Sequence, residues 1–104
     1  MPQSLHYQYA HLIFSTKGRK RWITAEIRPK VWAYMSGLLQ NLESQSITIG
    51  GVEDHIHVVC NLSKNLKAIK VIEYLKRDSS KFVKTLDPRL GAFAWQGGLC
   101  TPLA

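Results

Sequence analysis

The chain has 104 residues, enough for one small domain with a single modest core. Hydrophobic residues make up 45% of it, which argues against intrinsic disorder. The formal charge of +7 favours an anionic partner such as nucleic acid, although many small basic proteins bind none.

The cysteines, the N-terminus and the apolar runs further limit the classes of protein to which the chain can belong. The two cysteines form no close pair, so no zinc ribbon or redox motif is visible and a reducing cytosol fits. The N-terminus lacks the basic start of a signal peptide, and no apolar run reaches the length of a membrane span. We therefore expect a cytoplasmic protein that makes no membrane contact.

The hydrophobic pattern predicts six elements in the order strand, helix, strand, strand, helix, strand. The first strand covers 5–16, and an amphipathic helix follows to about residue 42, with Thr24 as its candidate cap. Strand 46–52 and the strand around 55–62 form a hairpin. A second helix, capped by Ser63 or Asn65, ends at Asp87-Pro88, and a last strand begins at Phe93. This order predicts an α+β fold of the ferredoxin-like split βαβ type, with an antiparallel sheet and helices on one face.

Two histidines one residue apart lie in the hairpin. Because side chains alternate across a strand, His55 and His57 share one face, while Ile56 and Val58 point to the other, apolar face. Paired imidazoles on the open face of a sheet can hold one divalent metal ion. Such pairs also occur by chance as ordinary exposed strand residues.

Basic side chains cluster in two places. The turn after the first strand carries Lys17, Arg19, Lys20 and Arg21, and the second helix carries a stripe at spacings of three and four residues, made of Lys67, Lys70, Tyr74, Arg77, Lys81 and Lys84. Cations with an aromatic ring suit phosphates and a stacked base. A solvated helix face is the alternative explanation of the stripe. We predict that both clusters bind nucleic acid.

With these residues laid out, the chain resembles the single-tyrosine transposases of the His-hydrophobe-His (HUH) class, in particular those of small bacterial insertion sequences and repeated palindromic elements. The resemblance covers about 5–97 of a single domain, 1–104. It depends on segments 11–17 (HLIFSTK), 50–57 (GGVEDHIH), 79–84 (SSKFVK) and 93–98 (FAWQGG) in this order.

The resemblance implies a mechanism. His55 and His57 would hold a divalent metal, Mg or Mn, that polarises a phosphate of single-stranded DNA. A tyrosine would then attack the phosphorus and form a 5′-phosphotyrosine link. The DNA partner would be an imperfect single-stranded hairpin, and the protein would work as a homodimer in DNA transposition.

The end of the chain departs from the family pattern. The family's nucleophilic tyrosine lies on a helix beyond the last strand, and the tail 98–104 (GLCTPLA) resembles no such segment. We therefore expect a C-terminally truncated member without the catalytic helix, and little or no cleavage by this chain alone. The alternative is a non-catalytic, ferredoxin-like nucleic-acid-binding module.

Overall fold

A computed structural model describes residues 7–97. Strand β1 covers Tyr7–Ser15, helix α1 Arg28–Asn41, strand β2 Gln45–Val52, strand β3 His55–Ser63 and helix α2 Ala68–Leu86. Single 3₁₀ turns lie at Lys17–Arg19 and Pro88–Leu90. The first five predicted elements are confirmed in their order, and the α+β class with them. Within residues 7–97, neither helix is long and apolar enough to cross a membrane.

The three strands form one antiparallel sheet in the order β1-β3-β2. The histidine strand β3 is therefore central, and the predicted hairpin with β2 is present. The even-numbered residues of β3, from Ile56 to Leu62, are fully buried, whereas the odd-numbered ones are not. This alternation is the one that the sequence pattern predicts.

Both helices cover the same face of the sheet. Buried side chains of β1 and β3, such as Phe14 and Ile56, belong to one core with Val31 and Met35 of α1 and Leu75 of α2. The opposite face has no cover among the described residues, and apolar side chains such as Tyr9, Ile13 and Val52 are exposed there. This uncovered side is called the open face below.

The last described segment lies beside β1, where a fourth strand of the predicted fold would pair. Thr16 and Trp95 form an antiparallel bridge. The backbone N–H of Gln96 donates to the Ser15 carbonyl oxygen at 2.7 Å, and the N–H of Lys17 donates to the Ala94 carbonyl oxygen at 2.9 Å. The predicted strand at 93–96 is thus present as a short bridge, and the tail 98–104 lies outside the described residues.

The helix starts differ from the predicted ones. Ile27 precedes α1 without a side-chain cap and Pro29 lies in its first turn, while Thr24 contributes only its backbone carbonyl, which accepts from the N–H groups of Ile27 and Arg28. Lys67 precedes α2, again without a side-chain cap, and Ser63 closes β3 instead. Tertiary packing of the apolar faces therefore determines where these helices begin.

Candidate metal and nucleic-acid site

The two histidines project from the open face on the central strand β3, near one end of the sheet. In the antiparallel register, Ser15 of β1 and Val52 of β2 flank His55, while Ile13 and Gly50 flank His57. The His55 side chain is 37% exposed and His57 is exposed. Both imidazoles are therefore accessible to a ligand, as the strand alternation predicts.

Asp54 orients the first imidazole. The Asp54 Oδ1 atom lies 2.9 Å from Nδ1 of His55, and an ionised carboxylate can only accept, so Nδ1 carries the proton. This hydrogen bond is the main cause of a lowered pKa of the Asp54 carboxyl, and the nearby Arg19 guanidinium lowers that pKa further. The acceptor thus stays ionised at neutral pH, and the lone pair of the neutral ring is left on Nε2, which is the tautomer that a metal requires.

Gly50 makes room for the second imidazole. A Cβ atom built on Gly50 would lie 3.1 Å from Nε2 and 3.4 Å from Cε1 of His57, closer than most side chains tolerate. The ring of His57 thus extends across β2 at Gly50, a position that has no side chain. Within the described part of the chain, no hydrogen bond holds this ring.

The donor set fits an open, two-ligand metal site. Among residues 7–97, no third histidine, cysteine or carboxylate joins the pair closely enough to complete a cage. Glu53 instead pairs with Arg28 at 3.4 Å, and Asp54 supports His55 from the side. Two imidazole nitrogens leave several positions of a divalent ion for water or phosphate oxygens.

The basic turn lies at the same end of the sheet as the histidines. The Arg19 Nε atom lies 3.4 Å from Oδ2 of Asp54, and the Lys20 ammonium lies 5.6 Å from the ring centre of Trp22. All four cations of this turn are exposed, namely Lys17, Arg19, Lys20 and Arg21. The structure therefore brings the predicted turn cluster beside the histidine pair.

Buried Thr16 connects the basic turn with Asp54, the partner of His55. Its hydroxyl donates to the carbonyl oxygen of Lys20 at 2.7 Å and lies 3.2 Å from that of Asp54. Its backbone N–H also donates to the Asp54 carbonyl oxygen, at 2.9 Å. Sequence reasoning missed this residue, and a threonine at the end of an apolar strand, directly before a basic turn, was its only signal.

The stripe on α2 divides into two parts. Tyr74 packs partly against the core, and the Arg77 guanidinium lies over its ring, 5.7 Å from the ring centre. Lys70 lies 3.7 Å from the carboxylate of Glu73. All five cations of the stripe are exposed, namely Lys67, Lys70, Arg77, Lys81 and Lys84. The later three, Arg77, Lys81 and Lys84, line a groove of about 490 Å³ beside segment 94–97.

Gln96 joins the two basic clusters and was also missed by sequence reasoning. Its backbone carbonyl oxygen accepts a hydrogen bond from Nζ of Lys76 at 2.7 Å. Its side-chain oxygen lies 3.4 Å from the backbone N–H of Gly18 in the basic turn. The turn and the later half of α2 are therefore neighbours across the edge of β1.

The four tyrosines lie away from the histidine pair. Tyr9 shares the open face, but it lies four residues along β1 from Ile13, the partner of His57, or about 13 Å. Its hydroxyl is hydrogen-bonded to Nε2 of His11 at 3.1 Å. The backbone of Tyr7 is farther still along β1, and Tyr34 and Tyr74 belong to the helices behind the sheet.

Comparisons with known proteins identify a family and a similar fold. Residues 4–102 match the model of a family described as "Transposase IS200 like". A crystal structure of a proposed transposase from Deinococcus radiodurans R1 is similar, with a TM-score of 0.83 and 16% identity over 94% of this chain and 78% of that chain. No curated protein matches the chain. At this identity the structural likeness concerns the fold.

Proposed function

The chain belongs to the family of IS200-like transposases, and we propose that it binds single-stranded hairpin DNA together with a divalent metal, Mg or Mn, on the open face of its sheet. We propose further that this 104-residue chain does not cleave DNA by itself. The finding that carries the proposal is the pair of accessible imidazoles, His55 and His57, on the central strand beside a cluster of cations.

The metal part is supported by the state of the two rings. Asp54 leaves Nε2 of His55 available, and Gly50 leaves space for His57. When bound, a divalent ion would act as a Lewis acid on a phosphate oxygen. With only two protein ligands, we expect weak binding by the chain alone and stronger binding when DNA supplies phosphate oxygens.

The DNA part is supported by charge and by the open face. The basic turn places the exposed Arg19 next to the partner of His55, so a phosphate near the imidazoles would also meet this guanidinium. Exposed Tyr9 and Ile13 lie along the same face, where unpaired bases can stack or pack. These features suit a single strand whose bases are accessible.

The positions of the four tyrosines are the reason to expect no cleavage. Each of the four tyrosines of this chain lies along β1 or in a helix, and none lies beside the histidine pair. A phenol oxygen must approach within about 3–3.5 Å of the phosphorus to attack it. The chain can therefore hold a scissile phosphate without presenting a nucleophile to it.

A manganese titration tests the metal site. We expect Mn²⁺ affinity to rise when single-stranded hairpin DNA is present, and to be lost in the double variant His55→Ala, His57→Ala, with little change in thermal stability because both rings are accessible. His11→Ala is the matched control, since it removes an imidazole from the same face. Equal loss in the control, or collapse of the fold in the double variant, would make the histidines structural.

A denaturing gel tests the absence of cleavage. Hairpin DNA incubated with the protein and Mn²⁺ should yield no covalent protein–DNA adduct. An adduct would refute that part of the proposal, and the variants Tyr9→Phe and Tyr74→Phe would then identify the nucleophile, in the same subunit or in a second one.

We also propose a homodimer that acts in the cytoplasm. Strand β2 is at the edge of the described sheet and exposes Ile47 and Val52, and such an edge favours pairing with another chain. Light scattering coupled to gel filtration gives the mass in solution. A mass of 11.8 kDa, that of a single chain, at all concentrations would contradict the dimer.

A further inference from the structure

A basic groove lies on the helix side of the molecule, between α2 and segment 94–97. It has a volume of about 490 Å³, and one wall carries four cations, Lys76, Arg77, Lys81 and Lys84. Among residues 7–97, one acidic residue lines it, Glu73, whose carboxylate already faces Lys70 at 3.7 Å. Arg77 also pairs with the Asp78 carboxylate at 2.9 Å, and the groove still carries an excess of positive charge.

Segment 94–97 lines the groove opposite α2, and the buried indole of Trp95 holds this segment in place. The indole N–H donates to the hydroxyl of Ser79 at 2.9 Å, and this hydroxyl in turn donates to the Leu75 carbonyl oxygen within α2. Trp95 is only 7% exposed. The segment that faces the four cations is thus fixed to the same helix that carries them, and the groove is preformed.

The size and charge of the groove suit a few nucleotides of a single strand. A volume of this order is typical of sites for small organic ligands, and it is too small for a duplex. The cations at 77, 81 and 84 recur every three or four residues, or about 4.5–6 Å along the helix. An extended phosphodiester backbone can therefore contact several of them together.

Gln96 connects this groove with the histidine site. Its carbonyl oxygen accepts from Lys76 in the groove wall, while its side chain reaches the N–H of Gly18 in the basic turn. In the same turn, Arg19 lies beside Asp54, the partner of His55. The groove and the basic turn are therefore neighbours at the edge of β1, and the turn leads on to the histidines.

We infer that the groove binds the single-stranded DNA that flanks a hairpin, and that this strand passes the basic turn to reach the histidine pair. The inference depends on the proposed function and deepens it by assigning one part of the substrate to one surface. It also divides the predicted stripe, because Lys81 and Lys84 line the groove whereas Lys67 and Lys70 do not. Only the first pair should contact the flanking strand.

Two double variants of α2 test this division. Lys81→Gln, Lys84→Gln removes two charges from the groove, and Lys67→Gln, Lys70→Gln removes two from the same helix outside it. Fluorescence anisotropy measures affinity against salt concentration for a hairpin with a single-stranded flank and for the same hairpin without it. Each lost contact to single-stranded phosphate should lower the slope of log K against log salt by about 0.7.

We expect the groove variant to lose about 1.4 of this slope on the flanked hairpin and to match the unmodified protein on the hairpin alone. The control variant removes cations outside the groove, so any change in its slope should be the same for the two DNAs. A flank-dependent loss of the same size in both variants, or an equal loss by the groove variant on the hairpin without a flank, would overturn the inference while leaving metal and hairpin binding intact. Failure of the unmodified chain to bind either DNA would overturn the proposed function as well.

Discussion

Asp54 gives the sharpest test of how the first imidazole is prepared for a metal. Its carboxylate holds the proton on Nδ1 of His55 through a hydrogen bond of 2.9 Å. In Asp54→Ala, the neutral ring can exchange between two tautomers and two flipped orientations. If these four states are equally populated, only about one quarter of the molecules present Nε2 correctly, and apparent affinity falls about fourfold.

Loss of the carboxylate also makes the imidazole less basic. Removal of such a partner typically lowers metal affinity by about 10- to 100-fold, so we expect a loss of about tenfold or more for Asp54→Ala. Asp54→Asn separates the two causes, because its amide oxygen still accepts from Nδ1–H but carries no charge. Its affinity should fall between those of the unmodified protein and the alanine variant.

The free Mn²⁺ signal in electron paramagnetic resonance measures these affinities with hairpin DNA present. Arg19→Gln reports how much the positive charge beside Asp54 contributes, since the Arg19 Nε atom lies 3.4 Å from Oδ2 of Asp54. Identical Mn²⁺ affinities for Asp54→Ala and the unmodified protein would refute the orienting role. Equal losses in the asparagine and alanine variants would assign the effect to charge alone.

Four further outcomes are expected. Gly51→Ala should destabilise the fold by roughly 1–3 kcal/mol in urea denaturation, because φ of Gly51 is 150° and a Cβ there would lie 2.7 Å from the Ile56 Cα atom. Gly50→Ala should mainly weaken Mn²⁺ binding, because its Cβ would meet the His57 ring. Ser79→Ala should lower stability by roughly 1–3 kcal/mol, since a buried indole N–H loses its acceptor. Arg89 lowers the pKa of Asp87 from 3.8 to about 2 through its hydrogen bonds, so the stability from this pair should be complete above about pH 5 and fall from there toward pH 2 in denaturation series.

Much of the site was predictable because strand periodicity is a local property. The alternation around His55 and His57 depends only on neighbouring residues, and the structure confirms it. The supporting contacts depend on residues far apart in the chain. Ser79 looks like an interruption of the apolar stripe of α2, yet it is fully buried as the acceptor for Trp95, sixteen residues later. No local pattern contains that pairing.

The position of Asp54 shows the same limit at short range. Strict alternation directs residue 54 away from His55, but the turn between β2 and β3 brings its carboxylate onto Nδ1 of the next residue. Helix caps were unpredictable for a related reason. Side-chain caps contribute about 1 kcal/mol, whereas burial of an apolar helix face contributes several times more, so packing decides where α1 and α2 begin.

The register of β1 against β3 connects the fold to the proposed chemistry. Ser15 lies opposite His55, so the next residue, Thr16, reaches the Asp54 carbonyl oxygen with its backbone and the Lys20 carbonyl oxygen with its hydroxyl. A slip of one residue in β3 would turn both histidines into the core and expose Ile56. The burial of Ile56 and its alternate neighbours opposes such a slip. The apolar side of β3 therefore keeps the imidazoles on the open face and beside the basic turn.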